Sequence, residues 1–417
     1  MPVELLLFDL DDTLLRTGDL EPFRGRQFLN RQPEEYVRQL SAAFLADAWR
    51  AVYSEEQLLS LQRRHPGAKL GVFTRSPRHY AEILLGLAFP NVEWATLVAF
   101  EDVARTKPSG EGVHLAMRVA GVGWVSSVWL IGDGKVDLQA AYDAGCWCVL
   151  DTSTWPSRHR GDDWKALERV PDAIISDADD LEDVLDHPSD YLPVAERLQA
   201  VDGAVAVVGL RFEKAGYFNP LVDERRPTHV HYLGRHFSAD AGRRVAWHAV
   251  TNDIQRMKNL LVVPGYWIQA MRAFIRSIVV DGDAMVGLGL TSVVVTVVPA
   301  KPERTQRLEA MLEQLARSHA VDPIAPVDIQ FIPETMRYLP GVQSHHSNGG
   351  LNREQRFANV RDHLRVIADS GYAGRHVVVI DDVVTSGASL VYADRYLREA
   401  GASNVTLLAL TKNVGIR

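Results

Sequence analysis

The strongest constraint in this chain is an alternation. Across residues 1 to about 186, Glu4 to Phe8, Lys69 to Phe73, Thr96 to Ala99, Ser127 to Ile131, Cys146 to Leu150 and Ala173 to Ile175 read as short apolar strands, with helices such as Pro33 to Val52 and Glu55 to Arg64 between them. Strands apolar along their whole length are buried on both faces, and strands separated by helices run parallel. The pattern predicts an α/β domain built on a parallel sheet. The stretch Ser176 to Ala200 then turns acidic, with DADDLEDVLDHPSD reading as an amphipathic helix and a Pro-marked break. A domain boundary is expected there, with residues 187–202 as linker.

A different pattern begins at Gly203. AVAVVGLRF and THVHYLGRHF read as an antiparallel pair, followed by a long helix-like region near Arg243 to Val280 and a strand at Ser292 to Val298. A helix over Thr305 to His319, a loop-rich stretch to Gly350 and a helix near Arg353 to Ile367 come next. A strand at His376 to Ile380, a helix after Ser389 and a strand at Val405 to Leu410 complete a second α/β domain over residues 203–417.

Composition narrows the class of function. At 417 residues the chain is long enough for two cores, and 47% apolar with 24% charged residues is globular. A net charge of -8 argues against a protein that coats nucleic acid, so small anionic substrates need local basic sites. Cys146 and Cys148 lack a second ligand pair, and as the only two cysteines they fit a reducing compartment. The opening run MPVELLLFDLDD is broken by acids and does not read as a signal peptide, and no run reaches the length of a membrane span. A cytoplasmic location is expected, with no membrane partner.

Chemistry concentrates where the strands end. Phe8-Asp9-Leu10-Asp11-Asp12-Thr13 puts two carboxylates two residues apart at the mouth of the sheet, where ligands bind in such folds. Thr74 ends the next strand in KLGVFTRS, Lys107 follows in RTKPSG, and Asp133 and Asp137 lie in LIGDGKVD. These strings, in this order, resemble the haloacid dehalogenase superfamily over residues 4 to 186. The resemblance implies a Rossmann-like sheet with a small helical cap between Thr13 and Thr74. It makes Asp9 the nucleophile that takes the phosphoryl group and Asp11 the general acid. Asp9, the Asp11 backbone carbonyl and Asp133 would hold Mg2+, with Asp137 supporting, while Thr74 and Lys107 bind the phosphoryl oxygens. The dehalogenase branch lacks an acid at the position of Asp11, so phosphate ester hydrolysis is expected.

The second half carries its own phosphate cradle. His376 to Ser389 is an apolar strand, two acids, a turn of small residues and a helix start. Backbone N–H groups there can hold a phosphate, Gly387 permits close approach, and Thr385, Ser386 and Ser389 add hydroxyl donors. The string resembles the phosphoribosyl pyrophosphate (PRPP) motif of type I phosphoribosyltransferases. That resemblance places Asp381 and Asp382 on the ribose hydroxyls and Thr385, Ser386, Gly387, Ala388 and Ser389 around the 5'-phosphate. In outline, VVTVVPAKPERTQR and LNREQRFANV match the competence protein F branch. The first would supply a pyrophosphate loop of Pro299, Ala300 and Lys301 assisted by Arg304, the second a hood with Arg353 and Arg356, which a solvated amphipathic helix explains equally well. The cysteine zinc module usual ahead of that branch has no counterpart here, and a homodimer is compatible with the family.

The expected function is a bifunctional enzyme of nucleotide metabolism, acting on small phosphoesters and on PRPP. Two alternatives stand beside it: a phosphatase of nucleic-acid ends, and a phosphatase regulated by a noncatalytic PRPP-sensing domain. His345-His346 reads as a polar loop, and Trp49, Trp124 and Trp129 as core residues.

Overall fold

The computed structural model describes residues 2–25, 34–201, 209–223, 226–281, 292–325, 327–343, 350–368 and 371–415. Pro33, the start of AVAVVGLRF and His345-His346 lie outside them. The chain divides into two compact units: Met1–Leu192 with Phe237–His248 and Val414–Arg417, and Pro193–His236 with Ala249–Asn413. No helix among the described residues is long and apolar enough to cross a membrane.

The first unit is a parallel sheet of β1 (Leu5–Phe8), β2 (Lys69–Phe73), β3 (Trp94–Val98), β4 (Val128–Gly132), β5 (Trp147–Asp151) and β6 (Ala173–Ile175), in the order β3-β2-β1-β4-β5-β6. Between these strands run α1 (Glu34–Leu45), α2 (Glu55–Arg64), α3 (Arg78–Ala88), α4 (Glu111–Ala120) and α5 (Lys135–Ala144). The helix α2 starts where its sequence provides a cap. Ser54 accepts from the Gln57 amide at 3.1 Å, while Gln57 accepts from the Ser54 amide at 2.6 Å, a reciprocal pair that satisfies two orphan donors of α2. Leu58 and Leu61 of α2 and Tyr80, Leu84 and Leu85 of α3 then pack into the core against Leu6 and Phe8. Each such side chain contributes roughly 1.5–3 kcal/mol on burial. The order reverses between β1 and β4, and their ends flank the crevice where α/β sheets place their ligands.

Several expectations are revised. Trp129 is core, stacked on Trp147 with centroids 4.9 Å apart, but Trp49 and Trp124 are 83% and 75% exposed. Their neighbours in sequence are apolar, yet Trp124 precedes β4 and Trp49 follows α1 on the surface side. The segment Phe237–His248 belongs to the first unit because Arg244, fully buried, pairs with Asp172 and lies 3.9 Å over the Trp247 ring.

The second unit has a sheet of β7 (Glu213–Tyr217), β8 (Thr228–Phe237), β9 (Ser292–Val297), β10 (Asp328–Phe331), β13 (His376–Val384) and β14 (Asn404–Val414), ordered β10-β9-β13-β14-β8-β7. A separate two-stranded sheet pairs β11 (Met336–Tyr338) with β12 (Leu364–Val366). β10, β9, β13 and β14 pair in parallel, and the β7–β8 pair is antiparallel. The strand paired with THVHYLGRHF is thus Glu213–Tyr217, further along than AVAVVGLRF. β13 runs past Ile380 through both acids to Val384, since Val383 and Val384 still pair with Thr411 and Lys412. The single long helix expected over Arg243 to Val280 is broken into Gly242–Val245, Ala249–Arg256 and Gly265–Arg276, the last started by Pro264. Residues Val194, Ala195 and Leu198, read as linker, are buried in this unit's core, and Glu196 beside them pairs with fully buried Arg235.

Candidate active sites

In the first unit, β1 delivers Asp9 to the crevice. Its amide donates to the Ile131 carbonyl at 2.8 Å, so the carboxylate stands level with the end of β4. From there Gly132 lets α5 close in, because a Cβ on Gly132 would lie 2.4 Å from the Asp137 carboxyl carbon. Lys107, 1% exposed at its side chain, reaches between the two acids: Nζ is 2.8 Å from Asp9 Oδ1 and 2.6 Å from Asp137 Oδ1. Burial pulls the lysine pKa down, but Asp137 and Asp9 outweigh it and hold the ammonium charged. Thr74 is buried at the end of β2, where its hydroxyl accepts from the Ser76 amide at 3.0 Å.

One oxygen from each of Asp9, Asp133 and Asp137 falls within 4.8 Å of the others. Burial first, then the charges of Asp137 and Asp9, push Asp133 well above the carboxylate range. Asp137 is raised by burial against the pull of Lys107. Three clustered carboxylate oxygens, those of Asp133 and Asp137 buried where a negative charge is costly, fit a small hard divalent cation.

Asp11 lies apart from that cluster. Its carboxylate accepts from Thr17 Oγ1 at 2.7 Å, from the Tyr80 hydroxyl at 3.1 Å and from Ser76 Oγ, with Arg24 Nη2 3.2 Å away. Burial raises its pKa, Arg24 opposes that, and the charge of Asp9 adds to the rise. Arg24 comes from the turn of helix Gly18–Arg24 between β1 and α1, and it also donates to the Thr17 carbonyl at 2.6 Å. Sequence reasoning missed Thr17, Arg24, Ser76 and Tyr80. Only Ser76, two residues beyond Thr74, sits near a motif.

The second unit again sets its site at the ends of two adjacent parallel strands. β9 and β13 lie side by side, with the Val298 amide donating to the Ile380 carbonyl at 2.9 Å, and the segments leaving both strands wall a cavity of about 560 Å3. Ala300, Lys301, Arg304, Asp381, Asp382 and Ser389 all line it. Burial lifts Asp381 to about 7 against the pull of Arg307 and Lys301. Lys301 is lowered by burial, and its Nζ donates to the Gln343 carbonyl at 2.7 Å. Gly387 begins the helix Ala388–Glu399 at φ 77°, and a Cβ there would stand 2.6 Å from the Tyr217 ring. Both facts demand glycine. Thr385 is exposed and Ser386 half-buried on the turn before that helix. Arg353 and Arg356 do not line the cavity: Arg353 donates to the Phe218 carbonyl at 2.8 Å and Arg356 to the Leu351 carbonyl at 2.9 Å.

Arg307 and Tyr338 are among the cavity residues that sequence reasoning missed. Arg307, the first residue of the helix Arg307–Val321, forms an ion pair with Asp382, and Tyr338 places its hydroxyl 3.1 Å from Ser389 Oγ. Arg307 is the last residue of the string VVTVVPAKPERTQR, where the sequence alone assigns it no role, and Tyr338 lies in a stretch with no motif.

Residues 311–414 match the phosphoribosyl transferase domain family. The match contains Asp381 to Ser389 and begins after the basic loop and Arg307. No curated protein matches the chain. Among solved structures, a predicted phosphoglycolate phosphatase from Haemophilus somnus 129pt shares 19% identity, with 44% of this chain and 98% of that one covered and a TM-score of 0.34. CbbY from Rhodobacter sphaeroides, in complex with phosphate, shares 21% over 43% of this chain and 96% of that one, TM-score 0.30. A HAD-superfamily hydrolase, subfamily IA, variant 1, from Geobacter sulfurreducens PCA shares 16% over 44% and 100%, TM-score 0.30. Residues 311–414 carry the phosphoribosyl transferase match, and the N-terminal unit gathers Asp9, Thr74, Lys107, Asp133 and Asp137 at the end of its sheet.

Proposed function

We propose that the N-terminal unit hydrolyses phosphomonoesters through Asp9 and that the C-terminal unit transfers a phosphoribosyl group from PRPP, in nucleotide metabolism. What carries the first half is the division of labour between two carboxylates two residues apart. Asp9 faces Lys107 and the acid cluster, while burial raises the Asp11 pKa against the pull of Arg24 and of the Ser76 and Thr17 hydroxyls.

A phosphate ester with its phosphorus against Asp9 would be held by Lys107 and the Thr74 hydroxyl. Asp9 Oδ forms a bond to phosphorus as the ester P–O bond breaks, and Asp11 gives its proton to the departing oxygen. Asp11, now ionised, takes a proton from water whose oxygen attacks phosphorus, releasing orthophosphate and restoring Asp9. Asp9, Asp133, Asp137 and the Asp11 backbone carbonyl would hold Mg2+, which when bound offsets the repulsion between a carboxylate and a phosphate dianion. Lys107 spreads the same task over a fixed cation.

In the second unit, Asp381 and Asp382 would take the ribose hydroxyls, the Thr385 to Ser389 turn the 5'-phosphate, and Lys301, Arg304 and Arg307 the pyrophosphate. A second reading, a PRPP sensor without turnover, is favoured by one observation: Arg307 already occupies Asp382. Phosphorus NMR of the full chain with Mg2+, PRPP and a panel of bases separates the cases. Asp9-dependent orthophosphate and Asp382-dependent pyrophosphate are expected. Saturable PRPP binding with no pyrophosphate under any acceptor would establish the sensor, and orthophosphate release indifferent to Asp9→Asn would overturn the hydrolase reading.

A further inference from the structure

The loop that follows β5 returns to the hydrolase site and leaves it again as a line of aromatic rings. Thr154 Oγ1 donates to the Asp12 carbonyl at 2.7 Å, and Trp155 Nε1 donates to the Asp133 carbonyl at 3.0 Å. These two bonds fix Trp155 against the backbone of the acid cluster. His159 lies edge-on to Trp155 with centroids 5.2 Å apart, and Trp164 edge-on to His159 at 5.1 Å. Trp164, at the far end of the line, is 57% exposed.

The charges around this line are sorted. Arg158 and Arg160 are exposed, and neither guanidinium has an ion-pair partner among the described residues. The nearby acids are committed elsewhere: Asp162 pairs with Lys165 at 2.9 Å, and Asp163 accepts the Arg160 amide at 2.6 Å. Aromatic faces flanked by free guanidinium groups suit a planar base carried on an anionic backbone, since every base has a face to stack and phosphate pairs bidentately with arginine. An aliphatic sugar phosphate offers no ring to stack.

We propose that Trp155, His159 and Trp164, with Arg158 and Arg160, bind the leaving group of the hydrolase, and that this leaving group is a nucleoside. The assignment rests on the phosphomonoesterase reading above. Its chemistry is shared by a free nucleotide and by a phosphorylated strand end, where the arginines would meet further phosphates.

The test measures kcat/KM of the full chain with Mg2+ on ribose 5-phosphate, on nucleoside monophosphates and on an oligonucleotide bearing a terminal phosphate. The same series is run for Trp164→Ala, Trp164→Phe, Arg158→Ala and Asp9→Asn, with Tm recorded to confirm folding. The wild type is expected to prefer the nucleoside ester over ribose 5-phosphate by about tenfold or more. Trp164→Ala should collapse that ratio about tenfold and Trp164→Phe should restore most of it. A larger loss on the oligonucleotide than on the mononucleotide in Arg158→Ala assigns the strand end, and an equal loss assigns the free nucleotide. Asp9-dependent hydrolysis with a ratio that Trp164→Ala leaves unchanged overturns the nucleoside assignment alone. Hydrolysis of no ester, or hydrolysis indifferent to Asp9, overturns the phosphomonoesterase reading and the assignment with it.

Discussion

Lys107 Nζ and Asp137 Oδ1 are 2.6 Å apart with side chains 1% and 2% exposed, so each is the other's main counter-charge in a place water does not reach. The pair does two jobs. It neutralises α5 where that helix meets the sheet, and it aims a cation at Asp9.

Removing one member should therefore cost more than removing both. Lys107→Met leaves Asp137 buried beside Asp9 and Asp133, a loss expected to be on the order of 3–5 kcal/mol near neutral pH. Lys107→Met with Asp137→Asn should recover a large part of that stability while phosphate release stays abolished. Urea titrations of the single and double variants measure the coupling, and additive losses would show that the pair contributes nothing.

A leaving group that departs without help should make Asp11 dispensable. Asp11→Asn is expected to slow hydrolysis of alkyl phosphates by 10^2 to 10^4, the usual worth of a placed proton donor, and to slow an activated aryl phosphate far less. Equal losses on both esters would mean that the substitution damages the site by another route.

The parts of these sites that could be read in the sequence are those fixed by local chain geometry. Asp9, Thr74, Asp133, Asp381 and the Gly387 turn each follow an apolar run, and a strand end at a sheet crevice is a position that periodicity alone locates. Arg24, Tyr80 and Arg307 arrive from other elements, and what makes each functional is the carboxylate it meets in space. Arg244 is a further case, since its acidic partner Asp172 lies 72 residues earlier in the chain. Pro264, which precedes the helix Gly265–Arg276, is a break that proline chemistry alone marks in the sequence.

Asp381 is expected to tie the proposed PRPP binding to pH. Its native pKa of about 7 exceeds the ordinary carboxylate value because burial disfavours the charge. The folded state thus holds a proton that the unfolded chain has released, so stability falls as pH rises from about 4 to 7 and levels off above. Asp381→Asn should gain on the wild type across that window, by a few kcal/mol at most. Binding moves the other way, because only the ionised form accepts from both ribose hydroxyls. PRPP affinity should rise through pH 7 in the wild type, more steeply than in Asp381→Asn, as titration calorimetry at several pH values would show. Parallel slopes would place the titration on the ligand.

Arg307 is predicted to change partners when PRPP binds. In the structure it pairs with Asp382 and lines the cavity beside Lys301 and Arg304, while burial lowers its pKa against the attraction of Asp381. A guanidinium so placed gains more from a pyrophosphate than from one carboxylate, and releasing Asp382 would free that acid for the ribose. Arg307→Ala should weaken pyrophosphate binding about tenfold to a hundredfold, the worth of a charge-assisted hydrogen bond or two. Ribose 5-phosphate, which needs Asp382 but carries no pyrophosphate, should bind as well or better once the internal competitor is gone. The opposite order of effects would show that Arg307 serves to hold Asp382 in place, and that the cavity recognises its anion through Lys301 and Arg304 alone.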